Sequence, residues 1–157
     1  MAIDATQGAI DGYLCVLNET PKLLSEVGRL DVARLTYRVT KEDWSAIDVM
    51  AHLRVCGEVW GMHINRMLAE DTPAVTYESP RTTIRRTNYL KLGYGELLTP
   101  YLSQREVLLG VLNGLAFDDW SRGSTVNGRL FTVFMRVRQM SHHELEHAEQ
   151  IKGFLNR

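Results

Sequence analysis

The 157-residue chain is short of several things, and each shortage excludes a class of protein. Two cysteines, Cys15 and Cys56, are too few for a secreted disulfide scaffold. Neither charge is in excess: 18 Lys and Arg against 19 Asp and Glu leave a formal charge of −1, which offers no general attraction to nucleic acid. No apolar run approaches the roughly 20 residues of a membrane span, and Met1 to Tyr13 lack the basic start and apolar block of a signal peptide. Long alternating β-branched runs bounded by Asn-Gly or Asp-Gly turns are also missing. What is present is ordinary globular composition, 45% apolar and 24% charged. The length suits a single domain over 1–157, able to bury a core without disulfides or a structural metal. Together these features predict a cytoplasmic protein with neither nucleic acid nor membrane as partner.

Apolar residues recur at spacings of three and four, the helical period. A first helix is expected from about Thr6 to Val27, with a kink or restart at Thr20-Pro21. After a connector over 28–43, Ser45-Ala46-Ile47-Asp48 has the form of a capping box and opens a second helix to about Glu70. Residues 71–98 read as a long crossover containing a short helix. Thr99-Pro100 looks like the start of a third helix, ending near Asn113-Gly114, and 116–128 reads as a loop. The last helix is expected from about Arg129 to Leu155. This is an all-α four-helix bundle with a long crossover between its second and third helices.

The last helix carries the chemistry. Its apolar seam runs Val133, Val137, Met140, Glu144, His147, Ile151, Phe154, in alternating steps of four and three. Two polar residues interrupt that stripe, and buried polar groups need partners. His143 lies one turn before His147 on the same side, a ready chelate for zinc, nickel, iron or copper. His143-Glu144-Leu145-Glu146-His147 also spells the H-E-x-x-H of zinc proteases. Only ten residues follow it, however, none of them His or Cys. Glu144-Leu145-Glu146-His147 matches half of a di-iron motif, with no second copy in the chain. A mononuclear site needs a ligand from another helix, and His52 on the second helix is the best candidate. His63 lies eleven residues on, about 16 Å along a helix, so His52 and His63 cannot share one ion. Cys56, one turn from His52, is a possible ligand or a small hydrophobe. His142 points away from His143 and reads as a surface or supporting residue.

Trp44-Ser45-Ala46-Ile47-Asp48-Val49-Met50-Ala51-His52-Leu53 resembles the second-helix segment of DinB/YfiT-like proteins. His143-Glu144-Leu145-Glu146-His147-Ala148-Glu149-Gln150-Ile151 is similar to their C-terminal His-x-x-x-His-x-x-Gln-Ile, and Asp119-Trp120 and Gly128 fall in similar places. The resemblance runs from about residue 10 to the end. It implies a four-helix bundle, often a homodimer, with a three-histidine site for a divalent transition metal at His52, His143 and His147. It also implies kinship with transferases and isomerases that use low-molecular-weight thiols.

Three histidines leave an ion with open positions, the arrangement of a catalytic site. Such an ion could hold a small thiol as thiolate or activate water. The resemblance favours the thiol, and so implies a small thiol and an electrophile as partners. The alternative is a non-catalytic, stress-associated metal-binding module whose ion ties two helices together. Glu144, beside the ligands, is a candidate for orienting an imidazole. Arg81, Arg85, Arg86 and Lys91 form a basic cluster that reads first as a solvated face and second as an anion receptor. Arg105, if inward, requires an anionic partner.

Overall fold

The computed structural model describes residues 4–156; Met1 to Ile3 and Arg157, which belong to the single domain expected over 1–157, lie outside the described residues. Four long helices form the bundle: α1 (Gln7–Val27), α3 (Ala46–Ala69), α5 (Tyr94–Asn113) and α6 (Val133–Leu155). Short helices α2 (Val32–Thr36) and α4 (Pro80–Thr83) lie in the connections. So does a small sheet of β1 (Ala74–Val75), β2 (Gly123–Val126) and β3 (Arg129–Thr132), in the order β1-β2-β3. Among the described residues, no helix is long and apolar enough to cross a membrane.

Contacts between named residues give the helix directions. Thr20 meets Glu144, and Tyr13 packs on Phe134, so α1 runs parallel to α6. Arg54 reaches Glu96, and Gly57 and Gly61 both lie against Gln104, so α3 runs parallel to α5. His52 opposite His147 and His63 beside Arg136 make α3 antiparallel to α6. The second and third long helices point the same way. The segment between them must therefore travel back along the bundle, which is why it is a long crossover.

Three boundaries differ from expectation. Helix α1 does not restart at Pro21, and α5 begins at Tyr94, with Pro100 inside it. A proline within a helix strands the carbonyl four residues earlier. Here each stranded carbonyl takes an arginine from a neighbouring helix: Leu17 O accepts from Arg105 Nη1 at 2.8 Å, and Glu96 O from Arg54 Nη1 at 3.1 Å. Both helices continue because tertiary donors replace the missing bonds. The third difference is the hairpin within the expected 116–128 loop and the start of the expected last helix. Asn127 and Gly128 have φ of 51° and 79°, the left-handed pair that a tight two-residue hairpin turn requires. Helix α6 then starts at Val133, where the Thr132 hydroxyl accepts from Met135 N.

The predicted capping box at Ser45 and Asp48 is present and starts α3. The α6 seam is buried as its spacing predicted, except His147, which is half-buried.

Candidate metal centre

Helix α3 brings His52 to the face of α6 that carries His143 and His147. His52 Nε2 lies 2.9 Å from His143 Nε2. The ring centroids are 4.9 Å apart for His52–His143, 5.2 Å for His52–His147 and 4.6 Å for His143–His147. Trp44 packs on His52 and stacks on His147, while Trp60 meets His143 edge-on and donates its indole N–H to Tyr77 Oη. Aromatic walls thus fix all three imidazoles.

Burial, reinforced by their histidine neighbours, lowers His52 to about 4 and His143 to about 3. Both rings are therefore neutral at pH 7, the form that ligates a metal. Gln150 Oε1 lies 2.9 Å from His147 Nδ1. An amide oxygen only accepts, so Nδ1 carries the proton and Nε2 keeps its lone pair. His143 Nδ1 is buried without a hydrogen-bond partner, and its other nitrogen faces His52. An ion held at about 2.0–2.1 Å by two imidazoles separates their nitrogens by about 3.3 Å at the tetrahedral angle and about 2.9 Å at 90°, so the observed approach is within a few tenths of an ångström of that range. The residues present fit a divalent transition metal.

Cys56 joins this cluster, with Sγ 3.6 Å from His52 Nε2. His52, Cys56 and His143 each offer a donor atom within 4.8 Å of the other two. Burial, with Glu144 nearby, pushes the Cys56 thiol up to about 12.

Glu144, read as a group that could orient an imidazole, turns away from the histidines toward α1 and α5. Its carboxylate accepts from both Nη1 and Nη2 of Arg105 and from the Thr20 hydroxyl, so its role is a buried ion pair. Arg105 is inward and has the carboxylate partner it requires. Gln150 holds the supporting position instead. Its signal was its place three residues after His147 on the same helix. Trp44 and Trp60 were missed because their contacts with His147 and His143 join elements far apart in sequence.

His63 and His142 stand apart, as the spacing predicted. His63 accepts from Arg136 at Nδ1 (3.0 Å from Nε) and pairs through Nε2 with Ser124 Oγ at 2.6 Å. His142 is exposed and meets the edge of Tyr13.

Two clefts flank the histidines. One, of about 590 Å³, is bordered by Cys56, Trp60, Phe131, Arg138 and His143. The other, of about 440 Å³, is bordered by Trp44, His52, Arg85 and Leu90. Arg81, on α4, borders both. The basic cluster is divided: Arg81 and Arg85 face these clefts, while Arg86 pairs with Glu78.

A family model described as the DinB superfamily matches residues 17–151. No curated protein matches the chain. Among solved structures, YfiT from Bacillus subtilis superposes with a TM-score of 0.79 at 16% identity, covering 99% of this chain and 93% of that one. That protein is described as "a probable metal-dependent hydrolase with an unusual four-helix bundle topology". At this identity the likeness is one of fold.

Proposed function

From the premise that the chain belongs to the DinB superfamily, we propose that it is a metal-dependent enzyme acting on a small molecule. In this reading His52, His143 and His147 hold a divalent transition metal, zinc, nickel or iron, and a low-molecular-weight thiol is the co-substrate. The observation that carries the reading is the 2.9 Å approach of His52 and His143 Nε2, with Gln150 leaving the third imidazole's Nε2 free. When bound, the metal supplies a Lewis-acid centre that holds a thiol as thiolate or water as hydroxide. The protein's own groups do the rest. Gln150 sets the His147 tautomer, Trp44 and Trp60 hold the rings in place, and Arg81 offers an anion a guanidinium at the edge of both clefts. The clefts favour a substrate site over a metal that only ties two helices together, since a tie needs no such room.

The description of YfiT favours a second reading, in which water replaces the thiol and the reaction is a hydrolysis. Both readings use the same residues. A cytoplasmic homodimer completes the proposal, and sedimentation tests the assembly.

Protein purified without chelators or a histidine tag is expected to carry a single transition-metal ion per chain. It is expected to consume electrophiles only when a small thiol is added. His52→Ala, His143→Ala and His147→Ala each lose metal and turnover, while His142→Ala keeps both. Thiol-independent turnover selects hydrolysis. Full metal occupancy without turnover across a broad panel selects the non-catalytic module.

A further inference from the structure

We propose that the molecule entering the 590 Å³ cleft beside His143 bears a carboxylate, held by Arg138 and Arg81 while its other end meets the metal. The proposal rests on the metal reading above and names the substrate class of that site. Many arginines of this fold are already engaged: Arg105 by Glu144, Arg54 by Glu58, Arg38 by Asp48, and Arg136 by His63 and Gln139. Among the described residues, the guanidinium groups of Arg29, Arg81, Arg85, Arg129 and Arg138 have neither a hydrogen bond nor an ion pair. Arg81, Arg85 and Arg138 of these border the two clefts beside the histidines. Arg138 alone of the group is partly buried; the others are exposed.

The cleft runs along α6 from His143 back to Arg138, a span of about 7.5 Å along the helix axis. Trp60, Phe131 and Met135 supply its apolar walls. A guanidinium partly withdrawn from water beside such walls has given up hydration that an anion restores. Glu146 is the carboxylate of the lining, but it lies more than two turns beyond Arg138 and makes no ion pair with it. Arg81 faces the same space from α4 and offers a second guanidinium. Two arginines against Glu146 leave the lining with a positive balance, which draws in anions. A monoanionic carboxylate balances that excess, whereas a phosphate dianion exceeds it. Carboxylate geometry also suits paired N–H donors from arginine. The volume is that of a small-molecule site. The apolar walls then fit a hydrocarbon body between the carboxylate and the metal-binding end.

Cobalt(II)-loaded protein tests this with thiol probes, because a metal-bound thiolate gives a near-ultraviolet sulfur-to-cobalt charge-transfer band whether a thiol serves as co-substrate or as inhibitor. Mercaptoalkanoates from 3-mercaptopropionate to 6-mercaptohexanoate are titrated beside the mercaptoalcohols of equal length. At least one acid of the series is expected to bind about tenfold or more tightly than its alcohol, the gain from a charge-assisted hydrogen bond. Arg138→Gln reduces that preference to about twofold or less and Arg81→Gln reduces it in part, with the loss confined to the acids. Arg129→Gln, on exposed Arg129 of β3 outside both clefts, keeps the native preference. Equal affinity for acids and alcohols in the native sequence overturns the carboxylate and leaves the metal site standing. So do cobalt bands that no probe alters. A preference that survives both cleft variants, or that falls equally in Arg129→Gln, overturns the assignment to Arg138 and Arg81. Absence of cobalt ligand-field bands before any thiol is added overturns the metal reading, and this proposal with it. The native comparison of acid with alcohol decides the substrate class even if a variant fails to fold.

Discussion

Arg105 and Glu144 are each 4% exposed, and they neutralise one another at the centre of the bundle. Burial opposes the charge of Arg105, and the adjacent carboxylate outweighs that, holding the guanidinium above its ordinary range. Removing one partner of such a pair leaves an uncompensated buried charge, at a cost of about 3–5 kcal/mol. Glu144→Ala is therefore expected to destabilise the protein by that amount in chemical denaturation. A loss below about 1 kcal/mol would mean that water reaches Arg105. His63 makes a second prediction at this scale. Burial, with Arg136 and Arg66 nearby, lowers it to about 4, against about 6.5 for the unfolded chain. A lowered histidine means that, below pH 6.5, the unfolded state takes up a proton the native state refuses. Stability contributed by neutral His63 is thus complete above pH 6.5 and is lost between pH 6.5 and 4, by roughly 3 kcal/mol. Metal-free His63→Gln should show a shallower decline in urea-derived stability over that interval than the native sequence does.

The elements follow their local patterns wherever packing leaves those patterns alone. Asp48 and Ser45 start α3 by reciprocal bonds, and the seam of α6 is buried at the spacing its sequence shows. The prolines of α1 and α5 are read differently by the sequence because their stranded carbonyls find donors on other helices. The β2–β3 hairpin was missed although Asn127-Gly128 is its turn. Four residues on either side are too few to display alternation, and β2 gains its other neighbour from β1 about 50 residues earlier. The turn gives a test of the element. Gly128 has φ +79° with no atom near the position of an added Cβ, so Gly128→Ala meets only the backbone cost, about 1 kcal/mol. Thermal denaturation of that variant should show a small decrease. No decrease would mean that the turn relaxes to another form.

At the scale of the molecule, the candidate site couples helices that are distant in sequence. His52 belongs to α3 and the other two histidines to α6. An ion that binds this arrangement binds the folded state, and at a hundredfold excess over its dissociation constant it adds about 2.7 kcal/mol of stability. For a domain of this size that corresponds to a rise in melting temperature of roughly 5–10 °C. Scanning calorimetry with zinc should show the rise in the native sequence and its loss in His52→Ala. An equal rise in that variant would place the ion elsewhere.

The amino-acid sequence by itself determined what depends on the helical turn. It settled the four long helices, the polar interruption in the α6 seam, and the shared face of His143 and His147. It also settled the separation of His52 from His63. These are relations within one turn or along one axis, and 3.6 residues per turn specifies them without reference to any other element. Tertiary structure decided the rest. It turned Glu144 to Arg105, buried His63 between Ser124 and Arg136, and brought Cys56 near His143. These contacts join residues from 39 to 87 positions apart. Which polar groups meet across such distances is set by the packing of whole helices, because each buried donor or acceptor must find a partner wherever the bundle brings one.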